Sequence, residues 1–240
     1  VGALPVAGKF DLDVGGRAGI PATIGAAILN VTAVTPPGTG YITAWPFGTS
    51  QPLASNLNLN PNLTIPNLVI AGVGSHNGNS AVSFYNGSTT GTPLIADIQG
   101  YFPTTSSYTA LVPKRLLDTR TGQTSCDGLK QYSGAGAIGS GARLDLTVTG
   151  RCGAIIPSAG VGAVVLNVTA VVPTNFGYVT VWPTGASQPL ASNLNLNPGT
   201  TIPNTVIAKV GMQGQISIYN GGSAPLNIVV DAEGWFPDIP

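Results

Sequence analysis

Twelve consecutive residues, Ser50 to Pro61 (SQPLASNLNLNP), recur letter for letter from Ser187 to Pro198. Such a recurrence makes the chain a duplication, so whatever one half folds into, the other half must fold into as well. The match extends in both directions. Leu29 to Val34 (LNVTAV) repeats as Leu166 to Val171, and Gly40 to Pro46 (GYITAWP) returns as Gly177 to Pro183 (GYVTVWP). Further on, Ile65-Pro66-Asn67 pairs with Ile202-Pro203-Asn204 and Tyr85-Asn86-Gly87 with Tyr219-Asn220-Gly221. The copies close on Asp97 to Pro103 (DIQGYFP) and Asp231 to Pro237 (DAEGWFP). A chain of 240 residues allows each copy a core of its own.

Within a copy the apolar pattern has a period of two. In Asn193-Leu194-Asn195-Leu196-Asn197 the leucines take one face and the asparagines the other, as in a strand buried on one side. Short runs of the same kind cover Ala27 to Val34, Tyr41 to Trp45, Asn67 to Val73, Ala81 to Tyr85 and Pro93 to Ile98, each bounded by Gly, Pro or Asn. The 33 glycines, 20 prolines and 8% charged residues disfavour helix. The expected fold is all-β, two tandem β-sandwich-like domains of immunoglobulin or jelly-roll kind, residues 1–104 and 105–240, joined at Thr104-Thr105-Ser106-Ser107.

Nine basic and nine acidic residues balance, so nothing in the charge attracts nucleic acid or an anionic membrane. No apolar run is long enough for a membrane span, and Val1-Gly2-Ala3-Leu4-Pro5 lacks the parts of a signal peptide, as expected of the mature form of an exported protein.

The copies differ at their beginnings. The second opens with a lead-in from Tyr108 to about Gly134 that contains Lys114-Arg115-Leu116-Leu117-Asp118-Thr119-Arg120 and Cys126. The first has no counterpart, since its Phe10 to Val14 already aligns with Leu144 to Val148; consistently, Ala18 stands where the second copy has Cys152. Cys126 and its partner are absent together, which supports a disulfide worth about 3 kcal/mol for a loop of about 25 residues. The alternative is two separate buried thiols. Two cysteines and a single histidine cannot close a zinc shell.

RLLDTR, LNVTAV, GYxTxWP, ASNLN, IPN and the closing DxxG(Y/W)F, in that order, resemble a repeat domain found in tandem on secreted proteins of actinomycetes and other bacteria. The resemblance covers nearly the whole chain and implies export, a β fold and a place outside the cell or on its surface. It implies no shared activity. In that family the RLLDTR segment opens the domain, so the first copy looks as though its first strand has been removed. Three readings stay open: the mature chain starts late, a protease has cut after the counterpart of Arg120, or a neighbouring chain supplies the missing strand.

Chemistry is sparse. The single histidine, His76, falls in a turn expected to be exposed, and neither copy holds a nucleophile elbow, a phosphate loop or a zinc signature. No catalytic residue, metal or cofactor is expected. Asp97 and Asp231, at matching places in the last strand, read as acceptors for backbone or arginine donors. Asp118 and Arg120 read as structural, with Arg120 locking the lead-in to its domain. Binding candidates are Tyr41, Thr43 and Trp45 with Tyr178, Thr180 and Trp182, which alternation puts on one side of their strands, opposite Ile42, Ala44, Val179 and Val181. An outward strip of this kind stacks on sugars, while the opposing reading packs the rings under a loop. Asn56, Asn58, Asn193 and Asn195 form either a binding surface or an amide ladder within the sheet. Asn30-Val31-Thr32 and Asn167-Val168-Thr169 fit the glycosylation sequon but lie in expected strands and are discounted. The leading expectation is a non-catalytic adhesion or carbohydrate-binding module whose partner is a glycan or other cell-surface component. The alternative is a structural subunit that binds copies of itself, or another extracellular protein, and builds a filament or larger particle by strand addition to the incomplete first domain.

Overall fold

The computed structural model describes residues 2–238 and divides the chain into two compact units, Val1–Pro113 and Lys114–Pro240, called domains 1 and 2 below. Domain 1 contains β1 (Lys9–Asp13), β2 (Ala26–Ala33), β3 (Gly40–Pro46), β4 (Leu57–Leu59), β5 (Ile65–Gly72), β6 (Gly74–His76), β7 (Asn79–Asn86) and β8 (Leu94–Phe102). The strand β9 (Thr109–Asp118) crosses the division, and domain 2 continues with β10 (Arg143–Thr147), β11 (Val161–Val171), β12 (Gly177–Pro183), β13 (Leu194–Leu196), β14 (Ile202–Lys209), β15 (Gln215–Asn220) and β16 (Asn227–Pro237). Two short 3-10 turns, Lys130–Tyr132 and Met212–Gly214, are the only helical pieces among the described residues.

The fold is all-β, and each domain is a sandwich of two sheets. In domain 1 the sheet ordered β1-β7-β3-β4, with β6 added alongside β7, faces the sheet β5-β2-β8; in domain 2 the sheet β10-β15-β12-β13 faces β14-β11-β16-β9. Registers match strand for strand. Phe10 opposes Phe84 as Leu144 opposes Ile218, and Ile42 opposes Leu57 as Val179 opposes Leu194.

The core of domain 1 is the alternation made solid. Ala27, Leu29 and Val31 from β2 meet Ile42 and Ala44 from β3 and Val82 and Phe84 from β7 in one buried cluster. Each residue between them turns the other way, as the pleat requires. In domain 2 Leu166 and Val168, Val179 and Val181, and Ile216 and Ile218 occupy the matching places, all buried.

Cys126 and Cys152 are bonded across 26 residues of sequence. Ala18 has nothing to pair with, yet keeps the left-handed backbone of its counterpart, φ 49° against 56° for Cys152. The bridge therefore ties down the lead-in rather than shaping the turn. Replacing both cysteines with serine should lower the unfolding free energy of domain 2 by about 3 kcal/mol and leave domain 1 unchanged. Denaturant titration monitored by backbone hydrogen exchange in each domain measures both.

Candidate functional site

Domain 2 shows what completes this sandwich. In β9, Arg115, Leu116, Leu117 and Asp118 are all buried, and the strand lies beside β16 at the end of its sheet. The Arg115 guanidinium donates from Nε to Asp231 Oδ1 at 2.8 Å and from Nη2 to Oδ2 at 3.0 Å, a two-pronged grip, while its Nη1 reaches Asp118 Oδ2 at 3.1 Å. Asp118 in turn takes Arg120 Nε at 2.9 Å and Nη2 at 2.6 Å. Two carboxylates and two guanidiniums thus alternate, and planar forks suit this better than any lysine would. Burial works against the charge on Arg115; Asp231 and then Asp118 outweigh it and raise its pKa.

The lead-in is held from its other side too. Arg151 donates to the Leu116 carbonyl at 2.9 Å and binds Asp127 through Nε at 2.8 Å and Nη2 at 2.7 Å. Its bonds to Asp127 are the main cause that draws that carboxyl down to a pKa of about 2. The sequence pattern pointed to Arg120 for the locking role, but Arg120 pairs within its own segment and Arg115 makes the bond to the domain. The clue was the spacing: Arg115 precedes Asp118 by three and is separated from it by two leucines.

Among the described residues, domain 1 shows the receiving half of this arrangement and not the other. β8, the counterpart of β16, ends its sheet with no strand beside it among the described residues. Asp97, the counterpart of Asp231, is exposed and makes no ion pair among the described residues; the same is true of Arg17, which stands where domain 2 has Arg151. At this edge runs a groove of about 420 Å³, walled on one side by the segment from Gly2 to Pro5 and lined by Phe10, Leu12, Phe84, Leu94 and Ala96. Phe10 is 44% exposed there. In domain 2 the counterparts of Leu12, Leu94 and Ala96, which are Leu146, Ile228 and Val230, are fully buried, and Leu144, the counterpart of Phe10, is half-buried.

The remaining candidates have local duties. Trp45 and Trp182 are not on an open strip: they are only 2% and 4% exposed, and their indole N–H groups donate to the carbonyls of Thr49 at 3.0 Å and Ala186 at 3.1 Å. Thr43 and Thr180, also buried, donate to the Ala54 and Ala191 carbonyls at 2.7 Å and 2.6 Å. The loop after β3 or β12 folds back over that face, which strand alternation alone does not reveal. Tyr41 and Tyr178 stay partly exposed, each beside a second tyrosine, Tyr85 or Tyr219. Their rings lie so close over Gly87 and Gly221 that a Cβ there would sit 2.2 Å and 2.4 Å from them, which explains the glycine of the repeated Tyr-Asn-Gly.

The asparagines stand in for missing strand. β4 and β13 are three residues long, so β3 and β12 outrun them. There the Asn56 and Asn193 side chains each accept the next backbone N–H, from Ala44 and Val181, at 2.7 Å. Asn58 accepts from Ser55 at 3.3 Å, and Asn195 borders a shallow depression beside Tyr178. His76 is not in an open turn: it ends β6, with Nδ1 2.7 Å from Asp13 Oδ1 and its ring 4.6 Å from Phe47.

No protein-family model matches this chain, and no curated protein matches it. Among solved structures it is similar to the crystal structure of the STIV MCP, at 7% identity and a TM-score of 0.38, over 98% of this chain and 94% of that one. A likeness so slight carries no argument about fold or function.

Two outcomes are expected. Arg115→Met removes the guanidinium fork from the buried Asp231 carboxylate and should cost domain 2 about 3 kcal/mol, whereas Asp97→Asn should change domain 1 by less than about 0.5 kcal/mol; paired denaturant titrations compare them. Asp127 has a folded pKa of about 2 against an ordinary 3.8. Its stabilisation is therefore complete above the higher value and lost as pH falls towards the lower. Acid titration of domain 2 unfolding should show that loss between about pH 4 and pH 2, and Asp127→Asn should lack it.

Proposed function

We propose that this protein is a non-catalytic extracellular structural module whose first domain accepts a further strand of polypeptide at the β8 edge. One observation carries the reading: β16 is flanked by β9, and β8, its repeat counterpart, is flanked by nothing on that side among the described residues. An unpaired sheet edge is a row of free donors and acceptors, and strand addition is the chemistry such an edge performs. The apolar groove beside it supplies side-chain pockets to match.

Other observations support the setting. No helix among the described residues is long and apolar enough to cross a membrane, and a disulfide suits an oxidising compartment. Membership of the tandem secreted repeat family and the absence of catalysis belong to the same reading. A glycan-binding role has lost its main support, because the buried Trp45 and Trp182 offer no ring to a sugar; Tyr41 and Tyr178 remain for it.

The test supplies the strand in cis. Lys114 to Gly134, with Cys126→Ser, is fused directly ahead of Val1, which reproduces the spacing of domain 2. Domain 1 is expected to melt several degrees higher, and the β8 amides to gain protection from hydrogen exchange. An unchanged melting temperature with β8 amides exchanging as before would sink the strand-acceptor reading.

A further inference from the structure

Resting on that strand-acceptor reading, we infer what the accepted strand must look like: an extended segment with arginine, two consecutive leucines and aspartate spaced as in Arg115, Leu116, Leu117 and Asp118, its arginine read by Asp97. Domain 2 displays the occupied state of the same edge, and the receptor residues of the two domains correspond one by one.

The charges correspond first. Asp231 takes the Arg115 fork at 2.8 Å and 3.0 Å, and Asp97 occupies the same position in its strand, opposite Asn30 on β2 as Asp231 is opposite Asn167 on β11. Arg151 binds both the Leu116 carbonyl and Asp127 of the lead-in, and Arg17 occupies its place within Gly16-Arg17-Ala18-Gly19, against Gly150-Arg151-Cys152-Gly153. Domain 1 therefore keeps one acid and one base whose repeat equivalents both grip the lead-in. In domain 1 each is exposed and makes no ion pair among the described residues.

The shapes correspond as well. Alternation sends one of two adjacent leucines inward from a strand laid along β8. It would enter the groove where Leu12, Leu94 and Ala96 lie beside the buried Val31 and Phe84; the counterparts of the first three, Leu146, Ile228 and Val230, are fully buried where β9 is present. The direction is also fixed. Thr119 N–H donates to Ile228 O at 3.1 Å while Arg115 meets Asp231, so the lead-in runs antiparallel to β16 and the accepted strand runs antiparallel to β8.

β9 of another copy is not this occupant. It is held in its own domain by Arg115, Arg151 and the Cys126–Cys152 bond. The occupant is a segment of the same chemistry other than this β9.

The experiment adds a fluorescent peptide, residues 109–129 of this chain with Cys126→Ser, to the intact protein and follows anisotropy. Saturable binding is expected, weakened about tenfold or more by Asp97→Asn in the protein or Arg115→Ala in the peptide, and less by Arg17→Ala. The charge-reversed pair, Asp97→Lys with Arg115→Glu, should restore binding that either change alone removes. Ala96→Lys, which points a charge into the groove, should abolish it. Binding indifferent to Asp97 overturns the recognition proposed here but leaves strand acceptance standing, provided the cis fusion stabilises domain 1. Absence of peptide binding with a stabilising fusion likewise overturns the recognition alone, and failure of both sinks both. Self-association of the protein that Ala96→Lys breaks and the peptide does not displace would put a second copy at the edge and overturn the inference.

Discussion

The bond between Arg115 and Asp231 organises more of this molecule than its two residues suggest. A sandwich has to end each sheet somewhere, and an ending leaves backbone groups and one row of core side chains uncovered. Domain 2 solves this with one strand. The strand brings leucines for the core and an arginine for the carboxylate of β16, and Asp118 and Arg120 complete the charge pattern so that the arginine is not left with a single counter-ion. A buried pair of this kind adds little net stability compared with apolar residues of the same size, but it punishes any misplacement, because a half-made pair is costly. The interaction therefore bears on register: a strand slipped by one residue would put against Asp231 either Leu116 or Lys114, and a lysine has no two-pronged fork to offer.

Much of this was legible in the sequence, and for a physical reason. Duplication supplies two independent records of one fold, so a segment present in one copy and missing from the other stands out without any structure. Strand alternation placed Ile42, Ala44, Val179 and Val181 in the core, where they are. What alternation could not give is the fate of the opposite face. Trp45 and Thr43 lie on the side away from the core, but the chain after β3 returns over them and takes their hydrogen bonds for its own carbonyls. A loop with no periodicity leaves no mark in the pattern. The same holds for Asn56 and Asn193, whose role follows from a neighbouring strand being too short, a matter of pairing length rather than of residue type.

Arg115 was hidden differently. Within the motif Arg-Leu-Leu-Asp-Thr-Arg, either arginine could reach outward, and the shorter spacing between Asp118 and Arg120 made that pair the conspicuous one. Its closeness is what keeps it local: two residues apart on an extended segment, the side chains find each other before they find anything else. Arg115, three residues from Asp118, has one edge of its guanidinium free for a distant acid. The structure adds Arg17 as a second residue whose purpose is clear only by comparison with Arg151.

The direction of β9 along β16 has a mechanical side. Because the strands run oppositely, the segment leading into domain 2 and the end of β16 emerge at the same end of that sheet. Tension applied through these two points would peel β9 away like a zipper, one backbone pair at a time, rather than shear all pairs together. The Arg115 fork lies along that path and is reached before Cys126, whose bond to Cys152 cannot slip. Domain 2 is thus built with a releasable stretch backed by a covalent stop, and in domain 1 Ala18 stands where Cys152 anchors that stop.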